Sequence, residues 1–256
     1  MVDIVCVGNS HLNAVRAAAE LRARKGTLDF SFVGFQLLDE KYQPDLVVRD
    51  GEHIFNPRFD DEFQRCVRQS GPTMIFTYLG GAEHALLALA RSVRPFDLVD
   101  PSLPYDLIDL ESELIPYDVM FAVCCERISF MPPWFRHLRD LAALPICQIG
   151  LPPPIAGDEH ILRRAGPISR ERLEQHGVAP ARLRHKVWRL CLAATRHVCD
   201  ENAVSLIDPP LVAVDADGCL RVQYRGQDEV HANAAYGDLL LDRMLEIATD
   251  RQRGVQ

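Results

Sequence analysis

The chain has 256 residues, of which 48% are hydrophobic and 25% are charged, and its formal net charge is −8. This composition is typical of one large globular domain, and the negative charge argues against nucleic acid or an anionic membrane as the main partner. The eight cysteines include no Cys-x-x-Cys pair, and no cationic and apolar leader precedes the first predicted strand. No apolar run approaches the roughly 20 residues of a membrane span. We therefore expect a reduced, cytoplasmic protein without a zinc site.

The first apolar run, residues 2–7, is rich in β-branched residues and ends in Gly8-Asn9-Ser10-His11. The residues that follow, 12–24, have the apolar spacing of an amphipathic helix, so the stretch predicts strand, tight turn and helix. In a parallel α/β sheet such a turn lies at the carboxyl edge, where ligands bind. Ser10 is then either a nucleophile at the mouth of a site or the N-cap of the helix, and this stretch leaves both interpretations open.

The remaining chain alternates between strand and helix patterns. Further strands are predicted over residues 30–35, 73–78, 146–151 and 203–207, and further helices over 60–68, 85–91, 118–129, 133–143, 180–202 and from His231 to about 248. This alternation favours one mainly parallel five-stranded sheet with right-handed crossovers, in a single α/β domain over residues 1–256.

Other segments carry weaker or irregular patterns. A possible short strand over 46–48 interrupts an irregular stretch, 152–179 is a polar loop apart from its ends, and 211–224 has the pattern of a hairpin turning at Ala216-Asp217-Gly218. The segment 95–117 is acidic and broken by prolines. We expect it to be an insertion that shapes a pocket or an oligomer contact.

A second chemically loaded stretch, Asp228-Glu229-Val230-His231, precedes the last predicted helix. A nucleophilic serine needs a base within hydrogen-bond reach and a carboxylate to orient that base. Asp228 and His231 could supply both, although Asp228 could also be a helix N-cap. The spacing does not decide by itself, because Asp50-Gly51-Glu52-His53 shows it too.

Several other polar residues have simpler interpretations. No partner at a useful spacing accompanies five histidines, for which we expect no functional role: His137, His160, His176, His185 and His197. The helix over 180–202 carries a basic side that could hold a phosphate or a sugar acid but is better explained as a solvated face: Arg182, Arg184, Lys186, Arg189 and Arg196.

Three blocks together resemble, in their order, those of the SGNH (GDSL-type) hydrolases: Gly8-Asn9-Ser10-His11, Gly80-Gly81-Ala82-Glu83-His84 and Asp228-x-x-His231. The stretch 231–237, which reads His-Ala-Asn-Ala-Ala-Tyr-Gly, is similar to the His-x-Asn-x-x-Tyr-Gly ending of many such proteins. The resemblance implies a three-layer α/β/α, flavodoxin-like fold without metal or cofactor. It also implies that Ser10 is the nucleophile, His231 the base and Asp228 the partner of that base.

The same resemblance implies an oxyanion hole built from three donors. They are the serine's own N–H, a glycine after the second strand, and an asparagine after the third. Gly34 fits the second donor by position, with Gly51 as the alternative. Ala82 stands where the asparagine would be, so His84 or a backbone N–H near Gly81 would have to substitute.

His11, next to Ser10, either lines the pocket or lies half in solvent in the first turn of the helix.

The resemblance implies a serine esterase, with a short acyl group on a sugar as the substrate class and a small-molecule ester or acylated carbohydrate as the partner. An O-acyltransferase and a ligand-binding protein without turnover are the alternatives, and Ala82 favours the second of them.

Overall fold

Nine β-strands and nine α-helices are defined within residues 3–101, 103 and 108–254, the part of the chain that the computed structural model describes. The strands are β1 (Asp3–Gly8), β2 (Ser31–Gln36), β3 (Leu46–Arg49), β4 (Glu52–Phe55), β5 (Ile75–Tyr78), β6 (Phe96–Leu98), β7 (Glu113–Ile115), β8 (Ile146–Ile149) and β9 (Ser205–Ile207). The helices are α1 (Leu12–Lys25), α2 (Pro57–Ser70), α3 (Glu83–Ala88), α4 (Tyr117–Arg127), α5 (Met131–Ala142), α6 (Asp158–Arg164), α7 (Pro167–His176), α8 (Ala181–Glu201) and α9 (Ala234–Gly254).

A parallel sheet of five strands, in the order β2-β1-β5-β8-β9, lies at the centre of the fold. Along the chain this is the order second, first, third, fourth, fifth, as in flavodoxin-like sheets. All five strands were predicted, with ends that differ by at most two residues, and Val2 lies outside the described residues. The carboxyl ends of β1 and β5 lie side by side, and the turns after them therefore meet at one edge.

Helices cover both faces of the sheet, which makes the three-layer α/β/α architecture that the sequence predicts. Neighbouring residues of a strand point to opposite faces, so Val5 and Val7 belong to one core and Ile4 and Cys6 to the other. The first core packs on α2, α4, α5 and α8, and the second on α1 and α9. Within the described residues, no helix combines the length and the apolar character needed to cross a membrane.

Three segments outside the sheet differ from the prediction. The stretch predicted to hold only a short strand forms the antiparallel hairpin β3–β4, and the predicted polar loop contains α6 and α7. The predicted hairpin over 211–224 is instead two short 3-10 turns joined by a single antiparallel bridge between Val214 and Leu220. Prolines at 209 and 210 precede the first of these turns, and a proline cannot donate to a strand ladder.

The predicted insertion, 95–117, contains β6 and β7, which pair in parallel apart from the main sheet. Its residues 102 and 104–107 lie outside the described residues. The role of this segment in shaping a pocket or an oligomer contact remains a prediction.

The basic side of α8 is not a solvated face at two of its positions. Lys186 is 1% exposed, and its Nζ lies 2.8 Å from Oδ1 of Asp97, the central residue of β6. Arg184 is also buried, and it donates to the carboxylate of Asp158 and to the backbone oxygen of Ala156. The prediction failed because residues distant in sequence cover α8 and bring carboxylates to it, which buried cations require.

Candidate active site

Ser10 lies in the turn between β1 and α1, at the carboxyl edge of the sheet. The turn is tight: the N–H of Leu12 donates to the carbonyl of Asn9, and that of Asn13 to the carbonyl of Ser10. His11, rather than Ser10, occupies the N-cap position of α1. The Ser10 hydroxyl is therefore not used as the side-chain cap that the alternative interpretation required.

Three side chains form a connected line at this turn. Ser10 Oγ lies 2.7 Å from His231 Nε2, and His231 Nδ1 lies 2.7 Å from Asp228 Oδ2. Because an ionised carboxylate can only accept, Nδ1 carries the proton and Nε2 is left to accept the hydroxyl proton of Ser10. The structure thus brings together the three residues that the sequence motifs single out.

Asp228 is held in place by its own loop. Its Oδ1 accepts from the backbone N–H groups of Val230, at 2.9 Å, and His231, at 2.7 Å. Burial alone would raise the pKa of the Asp228 carboxyl, but these bonds and the one from the His231 ring outweigh burial and hold the pKa well below its ordinary value. The carboxylate is therefore ionised at any neutral or mildly acidic pH.

Two helices that the sequence did not predict anchor this loop. His160 on α6 donates from Nε2 to the backbone oxygen of Asp228 at 2.9 Å. The next residue, Glu229, is buried, and its carboxylate accepts from the N–H of Gly166 and the hydroxyl of Ser169 at the start of α7. No spacing in the sequence connects these residues, so only the fold reveals them.

The residues after His231 start the last helix. α9 begins at Ala234 rather than at His231, because Asn233 caps it: Oδ1 of Asn233 accepts from the N–H groups of Ala235 and Tyr236. The Asn233 amide also donates to two backbone oxygens of the segment before the loop, at Gln223 and Arg225. His231 therefore lies in a loop that is fixed at its end.

Gly237 brings α9 against α1. A Cβ at this position would lie 2.0 Å from the backbone oxygen of Ala14, so no side chain fits there without moving a helix. Since Ser10 lies just before α1 and His231 just before α9, this contact sets the distance between the two elements that carry them.

His11 is buried, not half in solvent. Its ring lies against that of His231, with centroids 4.5 Å apart, and its Nε2 donates to the carbonyl of Gly81 at 2.9 Å. Gly81 has φ +148°, and a Cβ there would lie 2.0 Å from the His11 ring. Burial, then the neighbouring His231 and His84 imidazoles, lowers the pKa of His11 to about 3. His11 is therefore a neutral ring that joins the turn after β5 to the Ser10 turn.

The glycines predicted as oxyanion donors are placed elsewhere or already bonded. Gly34 lies inside β2, paired with Cys6, because the strand runs on to residue 36. Gly51 lies in the turn of the β3–β4 hairpin. The N–H of Gly81 donates to the carboxylate of Glu83 at 2.7 Å.

Ala82 and His84 differ in what they face. Ala82 is exposed at the N-cap position of α3 and lines the pocket beside His231. His84 is buried, its Nδ1 has no hydrogen-bond partner among the described residues, and it lines a separate small void with Pro154 and Val230. Burial lowers the pKa of His84 to about 4, so this ring is neutral.

A pocket of about 360 Å³ opens beside His231. One wall is the α3 segment, which we define as residues 82–90. The other wall is the start of α7, and the loop from Asp228 to His231 closes the pocket. Among the described residues, no group of three or more His, Cys, Asp or Glu side chains is placed to hold a metal ion.

Comparisons with known proteins give structural matches only. No protein-family model matches the sequence, and no curated protein matches it either. One similar solved structure is a GDSL-like lipase from Bacteroides thetaiotaomicron, with 14% identity over 98% of this chain and 88% of that chain and a TM-score of 0.45. Another is the periplasmic domain of a lipopolysaccharide acetyltransferase from Salmonella ser. Paratyphi A, with 13% identity over 95% of this chain and 82% of that chain and a TM-score of 0.47. A third is a carbohydrate acetylesterase from Sinorhizobium meliloti, with 9% identity over 96% of this chain and 100% of that chain and a TM-score of 0.46. Each of these alignments covers at least 95% of this chain.

Proposed function

We propose that this chain is a serine hydrolase of the SGNH type that cleaves a carboxylic ester. The observation that carries the proposal is the connected line from Ser10 Oγ through His231 to the ionised Asp228, with both hydrogen bonds at 2.7 Å. A hydroxyl, an imidazole and a carboxylate in this order are the working parts of a nucleophilic triad.

The reaction follows from the proton positions. As Ser10 Oγ attacks the ester carbonyl carbon, His231 Nε2 takes the hydroxyl proton, and Asp228 stabilises the imidazolium that forms. His231 then gives this proton to the leaving alkoxide, the carbon–oxygen bond breaks, and an acyl-serine remains. Water, deprotonated by the same Nε2, attacks the acyl-serine, and the proton returns to Ser10 as the acid leaves.

The carbonyl oxygen gains negative charge in each half of this reaction. We assign the Ser10 N–H, two residues before α1, as one donor, since N–H groups at the start of a helix and the helix dipole favour an anion there. Ala82 supplies no side-chain donor. Loss of one such donor typically lowers kcat by roughly 10²–10³. We therefore expect a slow esterase rather than an inactive protein.

An O-acylated sugar with a short acyl group remains the substrate class that the sequence resemblance suggests. The eight cysteines are all free, which supports a cytoplasmic, reducing location as part of the proposal. Transfer of the acyl group to a sugar hydroxyl would use the same acyl-serine, with the hydroxyl replacing water.

Hydrolysis of p-nitrophenyl acetate, with and without a polyol acceptor, tests the proposal. A hydrolase releases free acid, a transferase gives the acylated polyol, and a binding protein gives neither. Ser10→Ala should keep the fold and lower turnover by roughly 10³-fold or more. A wild-type rate in this variant would contradict the nucleophile assignment.

A further inference from the structure

The pocket beside His231 is larger and less polar than an acetyl group needs. Its volume of about 360 Å³ would hold about a dozen groups of ~30 Å³, the share of one water molecule in the liquid. A methyl group, the whole apolar part of an acetyl ester, would leave most of this space to water.

The wall contributed by the α3 segment is apolar. Its lining side chains are Ala82, Ala85, Leu86, Leu89 and Ala90. Leu86 is 48% exposed and lines the pocket, so its side chain is available to contact a bound group. Three alanines and two leucines thus make this wall apolar.

The polar groups of the opposite wall bond to each other rather than to the pocket. The Ser169 hydroxyl and the Gly166 N–H both donate to the Glu229 carboxylate. Arg172 lies at the exposed rim, where its guanidinium donates to the backbone oxygen of Leu86. The pocket therefore offers a bound group mainly apolar contact, with the Arg172 guanidinium as a polar group at its rim, and this lining disfavours a buried sugar ring.

We propose that this pocket binds an apolar chain of medium length, about six to ten carbons, on one side of the scissile ester bond. The inference rests on the proposed esterase function, and it replaces the substrate class that the sequence resemblance suggests, a short acyl group on a sugar. The chain could belong to the acid or to the alcohol, since both ends of an ester meet at Ser10 and His231. The chemistry of recognition, burial of methylenes against α3, is the same in either case.

Two ester series distinguish the two ends. The first contains the methyl esters of acetic, butyric, hexanoic and octanoic acids, and the second the methyl, butyl, hexyl and octyl acetates, with acid release followed by pH-stat. Each methylene that enters the pocket should raise kcat/KM roughly threefold, and up to fourfold, until the pocket is filled. A rise in the first series alone assigns the pocket to the acyl chain, and a rise in the second alone assigns it to the alcohol.

Variants in the pocket test the location. Ala85→Leu fills the space, and Leu86→Asn makes its exposed edge polar without emptying a core. In the responding series, we compare kcat/KM for the eight-carbon member with kcat/KM for methyl acetate. Both variants should lower this ratio by about tenfold or more. Ala23→Leu, the same change as the first at an exposed position near the far end of α1, should leave that ratio unchanged.

The possible failures are distinct. A flat or falling profile in both series, or an unchanged ratio in both pocket variants, would overturn the inference while leaving the esterase proposal intact. If no ester in either series is cleaved, the proposed function fails and the inference fails with it.

Discussion

Ser10 and His231 are 221 residues apart in sequence, yet Ser10 Oγ and His231 Nε2 are 2.7 Å apart in the fold. The two residues lie just before the helices α1 and α9, which pack on the same face of the sheet. Gly237 permits this packing because the Ala14 backbone occupies the space of its missing side chain. The candidate site therefore depends on a helix contact that is not itself part of the chemistry.

Gly237→Ala should weaken both stability and activity. The added Cβ would have to push α9 away from the Ala14 carbonyl, and overpacking of this kind typically lowers the free energy of unfolding by about 1–3 kcal/mol. The shift would also lengthen the Ser10–His231 hydrogen bond, so kcat should fall more than KM changes. Urea unfolding and steady-state kinetics measure the two effects.

Gly254→Ala is the matched control, because it lies in the same helix and no described residue outside its own helix turn would lie within 4 Å of its Cβ. There the change should be neutral or stabilising, since alanine favours helices more than glycine does. Equal behaviour of the two variants would show that the α1–α9 approach does not position the site.

The two Asp-x-x-His segments should differ completely in their contribution to activity. His231→Ala removes the base from the Ser10–Asp228 line and should lower kcat by roughly 10³-fold or more. His53 is exposed on β4, so His53→Ala should retain nearly the full rate. Ester hydrolysis by both purified variants checks this ranking, and the reverse order would mean that the wrong pair was assigned.

The sequence predicts the central sheet well because its strands are short apolar runs that end in glycine, proline or polar turns. The sequence also predicts that the Ser10 and Asp228–His231 segments lie in turns, since their polar residues interrupt the apolar patterns of strands and helices. Alternation of strands and helices then fixes the parallel topology, and with it the edge at which these turns meet.

What the sequence does not predict depends on contacts between distant residues. Gly34 fits the oxyanion role by position, but β2 extends past it to Gln36, and a strand end is rarely fixed by local pattern. In the sequence, Lys186 is one of several basic residues on one side of a helix. Only the fold shows that Asp97 of β6 lies against it. The pocket wall at α7 and its hydrogen bonds from Gly166 and Ser169 to the Glu229 carboxylate are likewise evident only in the fold.

Ala82→Asn should raise kcat with little change in KM. The new amide would donate where negative charge develops, and such a donor acts on the transition state more than on bound substrate. Position 82 is exposed and is the N-cap of α3, where asparagine is favoured, so the variant should also be more stable by about 1 kcal/mol.

Ala82→Asp separates these two effects. Aspartate caps a helix as well as asparagine does but cannot donate, so stability should rise while kcat stays level or falls. A level kcat in Ala82→Asn would indicate that another donor already serves the oxyanion, and a simultaneous loss of kcat in His84→Leu would identify His84 as that donor.

The pKa of His84 makes a prediction about acid stability. Burial lowers it to about 4, below the ordinary value of 6.5, so below pH 6.5 the unfolded chain binds a proton at this residue that the folded chain does not. The free energy of unfolding therefore falls as the pH drops from 6.5 towards 4, and His11 adds a similar loss in the same range.

His84→Leu should reduce this acid sensitivity. The variant also removes a buried nitrogen that no described residue hydrogen-bonds, so its stability at neutral pH should be close to that of the wild type. Between pH 7 and pH 5 the variant should lose about 1–2 kcal/mol less than the wild type, as measured by urea unfolding at each pH. Parallel curves for the two proteins would mean that His84 is protonated to the same extent in the folded and unfolded chains.

Covalent labelling at Ser10 tests the central claim most directly. A fluorophosphonate reacts with a serine hydroxyl only when a neighbouring base activates it, so it does not require the right ester or a complete oxyanion hole for turnover. Peptide mapping by mass spectrometry should place the adduct on Ser10 in the wild type, with far slower labelling in His231→Ala and no adduct at this position in Ser10→Ala. An unlabelled Ser10 in folded wild-type protein, or equal labelling with and without His231, would contradict the account.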